Sequence, residues 1–331
     1  MLKLAVIILN WNGRDMMSRF LPSVVRYTKG EGVGLIVADN GSTDGSVDWL
    51  RENYPEIKLI EFPENYGFAG GYDRAIREVA ADYTLLLNSD VEVEEGWWQP
   101  LLAFMETNPE AGAVQPKILS YRDKSKFEHA GAAGGLIDAL GYPYCRGRVL
   151  SRVERDQGQY DSDEAVEVAW ASGAALLVRT NAYIEAGGLD REFFAHMEEI
   201  DLCWRIRLKG YKVFSVSYSR VFHYGGGALA YGNPRKTYLN FRNNLLMLYK
   251  NLPEKEGEKI LFRRRLADTL GFFFFLFKGH WKDARAVVRA HGDFRKMRNM
   301  YRVFPDKNIL PQLPGSDRYI YKDFLFKRVQ K

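Results

Sequence analysis

The stretch LLLNSDVEV, residues 85–93, changes from a run of leucines to a carboxylate-bearing segment within a few positions. A short apolar run bounded by polar residues is typical of a parallel strand that is buried on both faces. Asp90 follows this run almost at once, although a buried strand has no use for a carboxylate. In open α/β sheets, ligands bind beyond the carboxyl ends of the strands, so we expect Asp90 to face a binding cleft.

Similar apolar runs of strand length recur through the first hundred residues. They are LAVIILN (4–10), VGLIVADN (33–40), IKLIEFP (57–63) and YTLLLNSD (83–90). Between them lie segments long enough for crossover helices, namely MMSRFLPSVVRYT, SVDWLREN and GGYDRAIREVAA. This alternation predicts a mostly parallel, Rossmann-like α/β sheet flanked by helices, with right-handed crossovers.

The rest of the chain is less regular. Residues 120–165 predict excursions from the sheet, and VAWASGAALLVRT (168–180) predicts a return to the core. FFAHMEEIDLCWRIRLKGYKV (193–213) predicts an amphipathic helix that ends at Gly210, followed by the strand KVFSVSY.

The composition narrows the class of protein. Of 331 residues, 46% are hydrophobic and 27% charged, which is a globular balance, and two cysteines predict a reducing compartment without disulfides. The N-terminal apolar stretch lacks a cleavage site and is interpreted as a first strand rather than a signal peptide. No apolar run reaches the roughly 18 residues of a membrane span; the nearest is LGFFFFLFKG (270–279).

The charge is unevenly distributed. Residues 1–230 carry 24 Lys+Arg against 33 Asp+Glu, whereas residues 231–331 carry 23 against 9. An acidic body with a basic tail indicates an anionic partner for the tail, either a membrane surface or a nucleic acid.

Three polar signals follow predicted strands: Asn10-Trp11-Asn12, Asp39-Asn40-Gly41-Ser42 and Asn88-Ser89-Asp90. Three such ends predict one shared cleft, although Asp39 alone could equally serve an Asx turn. The loop NYGFAGGYDRAI (65–76) enters a helix and could present free N–H groups to the cleft, but tight packing explains its glycines equally well. It matches neither a dinucleotide fingerprint nor a P-loop.

Two further signals lie downstream. Glu198 and Glu199 could serve a helix dipole, or one of them could be a base at the cleft. His223 is a lone histidine, which is more often structural, but a carboxylate-bearing cleft makes a metal role plausible.

Taken in order, these motifs resemble the family 2 glycosyltransferases of the GT-A fold, over roughly residues 1–245. The motifs are VIILNWNG, VADNGSTDGS, NYGFAGGYDRAI, LLLNSDVEV, WASGAALLVRT, EEIDLCWRIRLKGYKV and FHYGGG. The resemblance is strongest to bacterial, rhamnosyltransferase-like members that build cell-surface polysaccharides. It implies a GT-A catalytic domain at residues 1–235 and a helical C-terminal extension at residues 236–331.

The resemblance implies a donor site for a UDP- or dTDP-sugar, with dTDP-rhamnose as one candidate. Asp39 would accept a hydrogen bond from the imide N–H of a pyrimidine. The implied donor contacts are Leu9, Asn10, Trp11, Asp39, Asn65, Gly67, Gly70, Asn88, Ser89 and Asp90.

The resemblance also implies a divalent metal, Mg²⁺ or Mn²⁺, held by Asp90 and His223. Asp90 occupies the last position of the family's D-x-D motif, but Asn88 stands at the first position and removes one negative charge. We therefore expect weak metal binding in the absence of the donor.

For catalysis, the resemblance implies single displacement with inversion, with Glu199 as the base and Glu198 as the second choice. Asp201 and Arg205 are predicted to form a supporting ion pair on one helix face. The segment with Trp170, Ser172 and Gly173 would line the acceptor side, although a core role for Trp170 is about as well supported.

The basic tail suggests where the protein works. The aromatic run Phe272–Phe275 and the basic stretch 281–304 favour an interfacial helix on anionic lipid over a cap packed on the catalytic domain. The resemblance implies a glycan or lipid-linked saccharide as the acceptor. Together with the basic tail, this predicts a cytoplasmic protein that is peripheral on the inner face of the membrane and does not bind nucleic acid. The alternatives are an inactive nucleotide-sugar-binding scaffold of the same fold and another nucleotide-using transferase.

Overall fold

The computed structural model describes residues 1–128, 131–149, 152–225 and 233–320. Its thirteen described strands are β1 Leu2–Asn10, β2 Val33–Asp39, β3 Lys58–Glu61, β4 Ala81–Asn88, β5 Val91–Val93, β6 Ala111–Ser120, β7 Gly135–Ile137, β8 Pro143–Cys145, β9 Arg148–Val149, β10 Arg152–Val153, β11 Val166–Glu167, β12 Ala175–Arg179 and β13 Lys212–His223. Its nine described α-helices are α1 Arg14–Tyr27, α2 Ser46–Asn53, α3 Gly67–Arg77, α4 Gln99–Thr107, α5 Thr180–Glu185, α6 Glu198–Leu208, α7 Pro234–Asn251, α8 Glu254–Phe277 and α9 Trp281–Met297.

A nine-stranded mixed sheet forms the centre of the molecule. Eight strands follow the order β11-β13-β6-β12-β4-β1-β2-β3, and β5 pairs with β13 off this path. The strands β3, β2, β1 and β4 run parallel, as the sequence predicts, whereas β12 runs antiparallel to β4 and to β6. Helices cover both faces, so Leu85, Leu86 and Leu87 in β4 are fully buried.

The irregular middle of the chain forms a second, four-stranded sheet with the order β10-β9-β8-β7. The sequence predicts that this region leaves the main sheet. It does not predict β6, which lies inside the main sheet between β13 and β12. Both cysteines are buried and free, in agreement with the predicted absence of disulfides.

The C-terminal helices pack beside the sheet. The predicted domain boundary at residue 235 falls at the start of α7, and residues 321–331 of the predicted extension lie outside the described residues. The basic stretch expected to lie on lipid is α9 with the residues that follow it, but the apolar face of α9 is buried, with Ala290 and Phe294 at 0% and 6% exposure. The prediction of a free interfacial helix is therefore wrong for α9, because α7 covers its apolar face.

The exposed apolar face belongs to α8 instead. Phe273, Phe274 and Phe277 are 47%, 55% and 88% exposed, so these three phenylalanines do not pack onto the catalytic domain, whereas Phe272 and Phe275 are half-buried. Among the described residues, we find no helix with the length and apolar character needed to cross a bilayer.

Candidate active site

The three polar strand ends meet at one edge of the sheet. Asn10 lies beside Asp39 in the β1–β2 ladder, and Asn88 lies beside Leu9 in the β1–β4 ladder. Because β2, β1 and β4 are adjacent and parallel, their carboxyl ends open into the same cleft, as the sequence predicts.

Asp39 organises the end of β2. Its Oδ1 accepts a hydrogen bond from Asn10 Nδ2 at 2.9 Å, and its Oδ2 accepts one from the Ser42 N–H at 2.9 Å. The turn role that the sequence offers for Asp39 is therefore present. Asp39 is only 2% exposed, whereas Trp11, at the end of β1, is 54% exposed.

The glycine-rich loop does not present free N–H groups. The Tyr66 and Gly67 N–H groups donate to the side-chain oxygens of Asn40 and Asn65 at 3.0 and 2.8 Å. The next two N–H groups, at residues 68 and 69, donate to the Phe194 carbonyl at 2.8 and 3.3 Å. All four donors at the start of α3 are therefore occupied, and the expectation of an open anion site there is wrong.

Packing explains the glycines of this loop instead. Gly67 has φ +74°, and a Cβ added there would lie 2.6 Å from the Phe194 ring. A Cβ at Gly70 would lie 3.1 Å from Tyr66 Cβ, which is also a close approach. The loop is thus held against the segment that precedes α6.

Asp90 and His223 form the centre of a buried polar cluster. His223 Nε2 lies 3.0 Å from Asp90 Oδ1 and 3.4 Å from Asn88 Nδ2, and His223 Nδ1 lies 3.1 Å from Glu128 Oε2. Burial alone would lower the pKa of His223, but the Asp90 and Glu128 carboxylates outweigh burial and raise it to about 10. Sequence reasoning missed Glu128, because it lies in the irregular middle of the chain.

The Asp90 carboxylate and the His223 imidazole are a donor set that suits Mn²⁺ or Mg²⁺ once the metal has displaced the proton that Asp90 and Glu128 stabilise on His223. Within the described residues, no group of three or more His, Cys, Asp or Glu side chains is arranged to hold a metal alone. A metal at these two residues would therefore need further ligands, such as phosphate oxygens.

The acidic pair opens helix α6. The helix predicted to run from residue 193 to Gly210 starts later than expected, because Phe194, His196 and Met197 have positive φ angles and α6 begins at Glu198. Both carboxylates therefore lie in the first helical turn, where N–H groups and the dipole favour negative charge.

The two carboxylates have different surroundings. Glu198 is 4% exposed, and burial together with the neighbouring Glu199 carboxylate holds its pKa well above its usual range. Burial also raises the pKa of Glu199, but the backbone N–H groups of Glu199, Ile200 and Gly173 limit the rise to about 7. Glu199 is half-buried, and one oxygen of each carboxylate has no hydrogen-bond partner within the described part of the chain.

The predicted Asp201–Arg205 ion pair is present. Asp201 is fully buried, its Oδ2 lies 2.7 Å from Arg205 Nη2, and it also accepts from Lys250 and Asn251 of α7. This network lowers the pKa of Asp201 despite its burial. It fastens α6, and with it the acidic pair, to α7.

Helix α7 also holds the loop before α6. Asn243 Nδ2 donates to the carbonyls of Phe193, Ala195 and His196 at 2.9, 2.9 and 2.7 Å, and Arg242 Nη2 donates to the Phe193 carbonyl at 3.1 Å. Sequence reasoning missed both residues, and the only signal was the pattern FRNN within a predicted helix.

The predicted acceptor segment has one residue beside the acidic pair. A Cβ at Gly173 would lie 3.7 Å from Glu199 Cβ and 3.3 Å from the Phe68 ring, so Gly173 leaves room there.

The other two residues of that segment are buried. Ser172 is 1% exposed and its Oγ accepts the Ala174 N–H at 3.2 Å. Trp170 is 5% exposed and donates to the Leu136 carbonyl at 2.9 Å, which favours the core role over acceptor stacking.

Comparisons with known proteins agree with this fold. The architecture is that of a glycosyltransferase with the GT-A fold. Residues 5–162 match the model of the family described as "Glycosyl transferase family 2". The chain is therefore a glycosyltransferase.

Two relatives and one structure illustrate the similarity. The chain is 28% identical to an N-acetylglucosaminyl-diphospho-decaprenol L-rhamnosyltransferase of Mycobacterium tuberculosis, over 67% of this chain and 76% of the relative. It is 24% identical to the rhamnosyltransferase WbbL of Escherichia coli K12, over 66% and 82%. A crystal structure of GalNAc-T7 with UDP, GalNAc and Mn²⁺ aligns with a TM-score of 0.60 at 15% identity, over 99% of this chain and 57% of that one. At that identity the match shows the fold alone.

Proposed function

We propose that this glycosyltransferase moves a sugar, with inversion, from a UDP- or dTDP-sugar to a glycan or lipid-linked saccharide acceptor in surface polysaccharide synthesis. One observation carries the proposal: two adjacent carboxylates with unequal surroundings open α6 beside Gly173. The two rhamnosyltransferase relatives make dTDP-rhamnose the first donor to test.

In the proposed reaction, Glu199 accepts the proton of the acceptor hydroxyl as that oxygen attacks the anomeric carbon of the donor. The new glycosidic bond forms on the face opposite the diphosphate, the sugar–phosphate bond breaks, and the nucleoside diphosphate departs. A base with a pKa near 7 suits this role, since it is ionised at neutral pH and still binds a proton well. Burial and the neighbouring Glu199 carboxylate raise the pKa of Glu198 well above its usual range and so favour its protonated form.

The donor would bind along the strand ends, with Asp39 and the backbone of β1 at the base and ribose. Asp90 and His223 would hold a divalent metal, which would supply Lewis-acid stabilisation of the departing diphosphate. Asn88 contributes no charge, so Asp90 is the carboxylate on the Nε2 side of the His223 imidazole, while Glu128 lies on its Nδ1 side.

A binding experiment tests the donor proposal. Mn²⁺ alone is expected to bind weakly by calorimetry, whereas Mn²⁺ together with UDP or dTDP should raise Tm, because a ligand that binds only the native state stabilises it. Asn88→Asp serves as the matched variant and should bind Mn²⁺ more tightly in the absence of nucleotide, since it adds a carboxylate beside Asp90. Tight Mn²⁺ binding by the unaltered protein alone, or no response to either nucleotide, would contradict the assignment.

We further propose that α8 attaches the protein to the inner face of the membrane. Its exposed side chains form an apolar stripe at helical spacing that continues to Trp281: Phe262, Leu266, Leu270, Phe273, Phe274, Phe277 and Trp281. Basic residues flank this stripe at Arg263, Arg265 and Lys278. Apolar and cationic side chains on one helix suit an anionic bilayer surface.

Flotation with vesicles containing phosphatidylglycerol tests this attachment. The protein is expected to float with the vesicles at low salt, and Phe273→Ser/Phe277→Ser should remain in the soluble fraction, because the stripe loses apolar area. Val303→Ser is the control, because Val303 is an exposed apolar residue outside the stripe. This variant should float normally. Equal flotation of the double variant would exclude the stripe as the attachment site.

A further inference from the structure

A cationic groove lies between α7 and α9, outside the donor site. Thr237 Oγ1 donates to Asp283 Oδ1 at 2.6 Å near the start of both helices, and the rings of Tyr249 and Phe294 pack edge to face near their ends, with centroids 5.9 Å apart. The two helices therefore run side by side in the same direction. Their N-termini, which carry partial positive charge, point to the same end of the groove.

The groove is built from basic and aromatic side chains. It has a volume of about 830 Å³, within the range of small-molecule sites. Five cationic side chains line it, at Arg235, Arg242, Lys282, Arg285 and Arg289.

These cations are poorly neutralised by the protein. Arg289 lies 3.5 Å from Asp293, and the buried Arg242 is satisfied by backbone carbonyls and Asn243. Within the described ranges, Arg235, Lys282 and Arg285 form no ion pair and are exposed. A concave surface with this excess of positive charge suits an anion that carries several oxygens.

The groove adjoins the loop before α6. Phe194 lines it, and the Arg235 guanidinium lies 5.4 Å from the centre of the Phe194 ring. The Phe194 carbonyl binds the N–H groups at the start of α3, and Phe68 of that helix contacts the position of Gly173. The groove thus lies on the side of the cleft where Glu199 would meet the acceptor.

The groove also adjoins the proposed membrane surface. Trp281, which is 68% exposed and ends the apolar stripe, directly precedes Lys282 of the groove. An amphiphile with a phosphate between its lipid chain and its sugar could keep the chain in the bilayer, place the phosphate in the groove and bring the sugar to Glu199.

We propose that this groove binds the phosphate or diphosphate group of a lipid-linked acceptor. The inference rests on the proposed function, because it assigns the acceptor's anionic group to a subsite beside the acidic pair. It also gives the groove's cations a role distinct from that of Asp90 and His223, which would serve the donor.

Calorimetry with farnesyl diphosphate in the presence of EDTA tests this subsite without divalent metal. Arg235→Gln/Arg285→Gln should weaken binding by about tenfold or more, because each substitution removes a charge-assisted contact. Arg295→Gln, an exposed position of α9 outside the groove, is the matched charge control and should bind within about twofold of the unaltered protein. Asp90→Ala should also leave this affinity unchanged, and farnesol should not bind.

Each contrary result has a distinct meaning. Unchanged farnesyl diphosphate affinity in the double variant, or its loss in Asp90→Ala, would overturn the assignment. Loss of vesicle flotation in Arg235→Gln/Arg285→Gln, with unchanged affinity for farnesyl diphosphate, would also overturn the assignment, because the groove would then bind lipid headgroups of the bilayer. The thermal response to UDP or dTDP reports on the donor proposal separately, since none of the groove residues belongs to that site.

Discussion

Glu199→Gln is expected to lower kcat for sugar transfer by about 10²–10⁴-fold, the range that general bases contribute. The amide keeps the size of the side chain but cannot accept the acceptor proton. Nucleotide binding should be retained, because Glu199 is not among the proposed donor contacts and the substitution changes neither the size nor the position of its side chain. Transfer to a saccharide acceptor, with the thermal response to nucleotide measured on the same samples, checks both expectations.

Glu198→Gln is the matched control for the base. Because burial and the neighbouring Glu199 carboxylate hold the pKa of Glu198 well above its usual range, the protonated carboxyl group is favoured, and the amide imitates that form. We expect this variant to lose less than about tenfold in kcat. If Glu198→Gln were inactive and Glu199→Gln active, the two roles would have to be exchanged.

The pH dependence gives a second test of Glu199. Since its pKa is about 7, kcat/KM should fall as the pH is lowered through 7, where the base becomes protonated. Stability should change in the opposite sense: between the ordinary value of 4.5 and about 7 the native state binds this proton and the unfolded state does not. The free energy of unfolding therefore decreases as the pH rises across that window, and Glu199→Gln should have an equal or higher Tm than the unaltered protein at pH 8.

Asp90→Ala is expected to lower kcat/KM by at least about 100-fold, because it removes the carboxylate that would stabilise charge at the diphosphate. It should also abolish the enhancement of nucleotide binding by Mn²⁺. The variant leaves His223 and Glu128 in place, so the buried imidazole keeps one carboxylate partner and the strand β13 keeps its pairing with β6.

Glu92→Gln is the control for Asp90, because Glu92 lies two residues away and pairs with Lys124 at the surface. Its activity and its response to Mn²⁺ should match those of the unaltered protein, since exposed ion pairs contribute little. An Asp90→Ala variant with full activity and undiminished metal dependence would show that the metal lies elsewhere.

Much of the fold could be predicted from local patterns. The parallel strands β1 to β4 are visible as apolar runs, and their order places Asn10, Asp39 and Asn88 at one edge. Strand β6 was missed because its sequence AGAVQPKILS contains small and polar residues whose burial depends on partners far along the chain. Glu128 was missed for the same reason, since 95 residues separate it from His223.

Other predictions failed where several elements compete for the same groups. The glycine-rich loop has the composition of an anion site, but its N–H groups are taken by Asn40, Asn65 and the Phe194 carbonyl. Likewise, α9 has an amphipathic pattern, but α7 covers its apolar face. The exposed apolar side chains belong to α8 instead. Amphipathicity shows that a face will be covered, without showing what covers it.

The sequence by itself determined the parallel sheet, the polar strand ends and the position of Asp90 after a buried strand, because these follow from periodicity along a short segment. Only the tertiary structure decided how the two carboxylates at the start of α6 differ and which cations gather between α7 and α9. A pKa depends on burial and on neighbouring charges, and a groove depends on the direction in which two helices pack. Both are properties of residues that are distant in the chain and close in space.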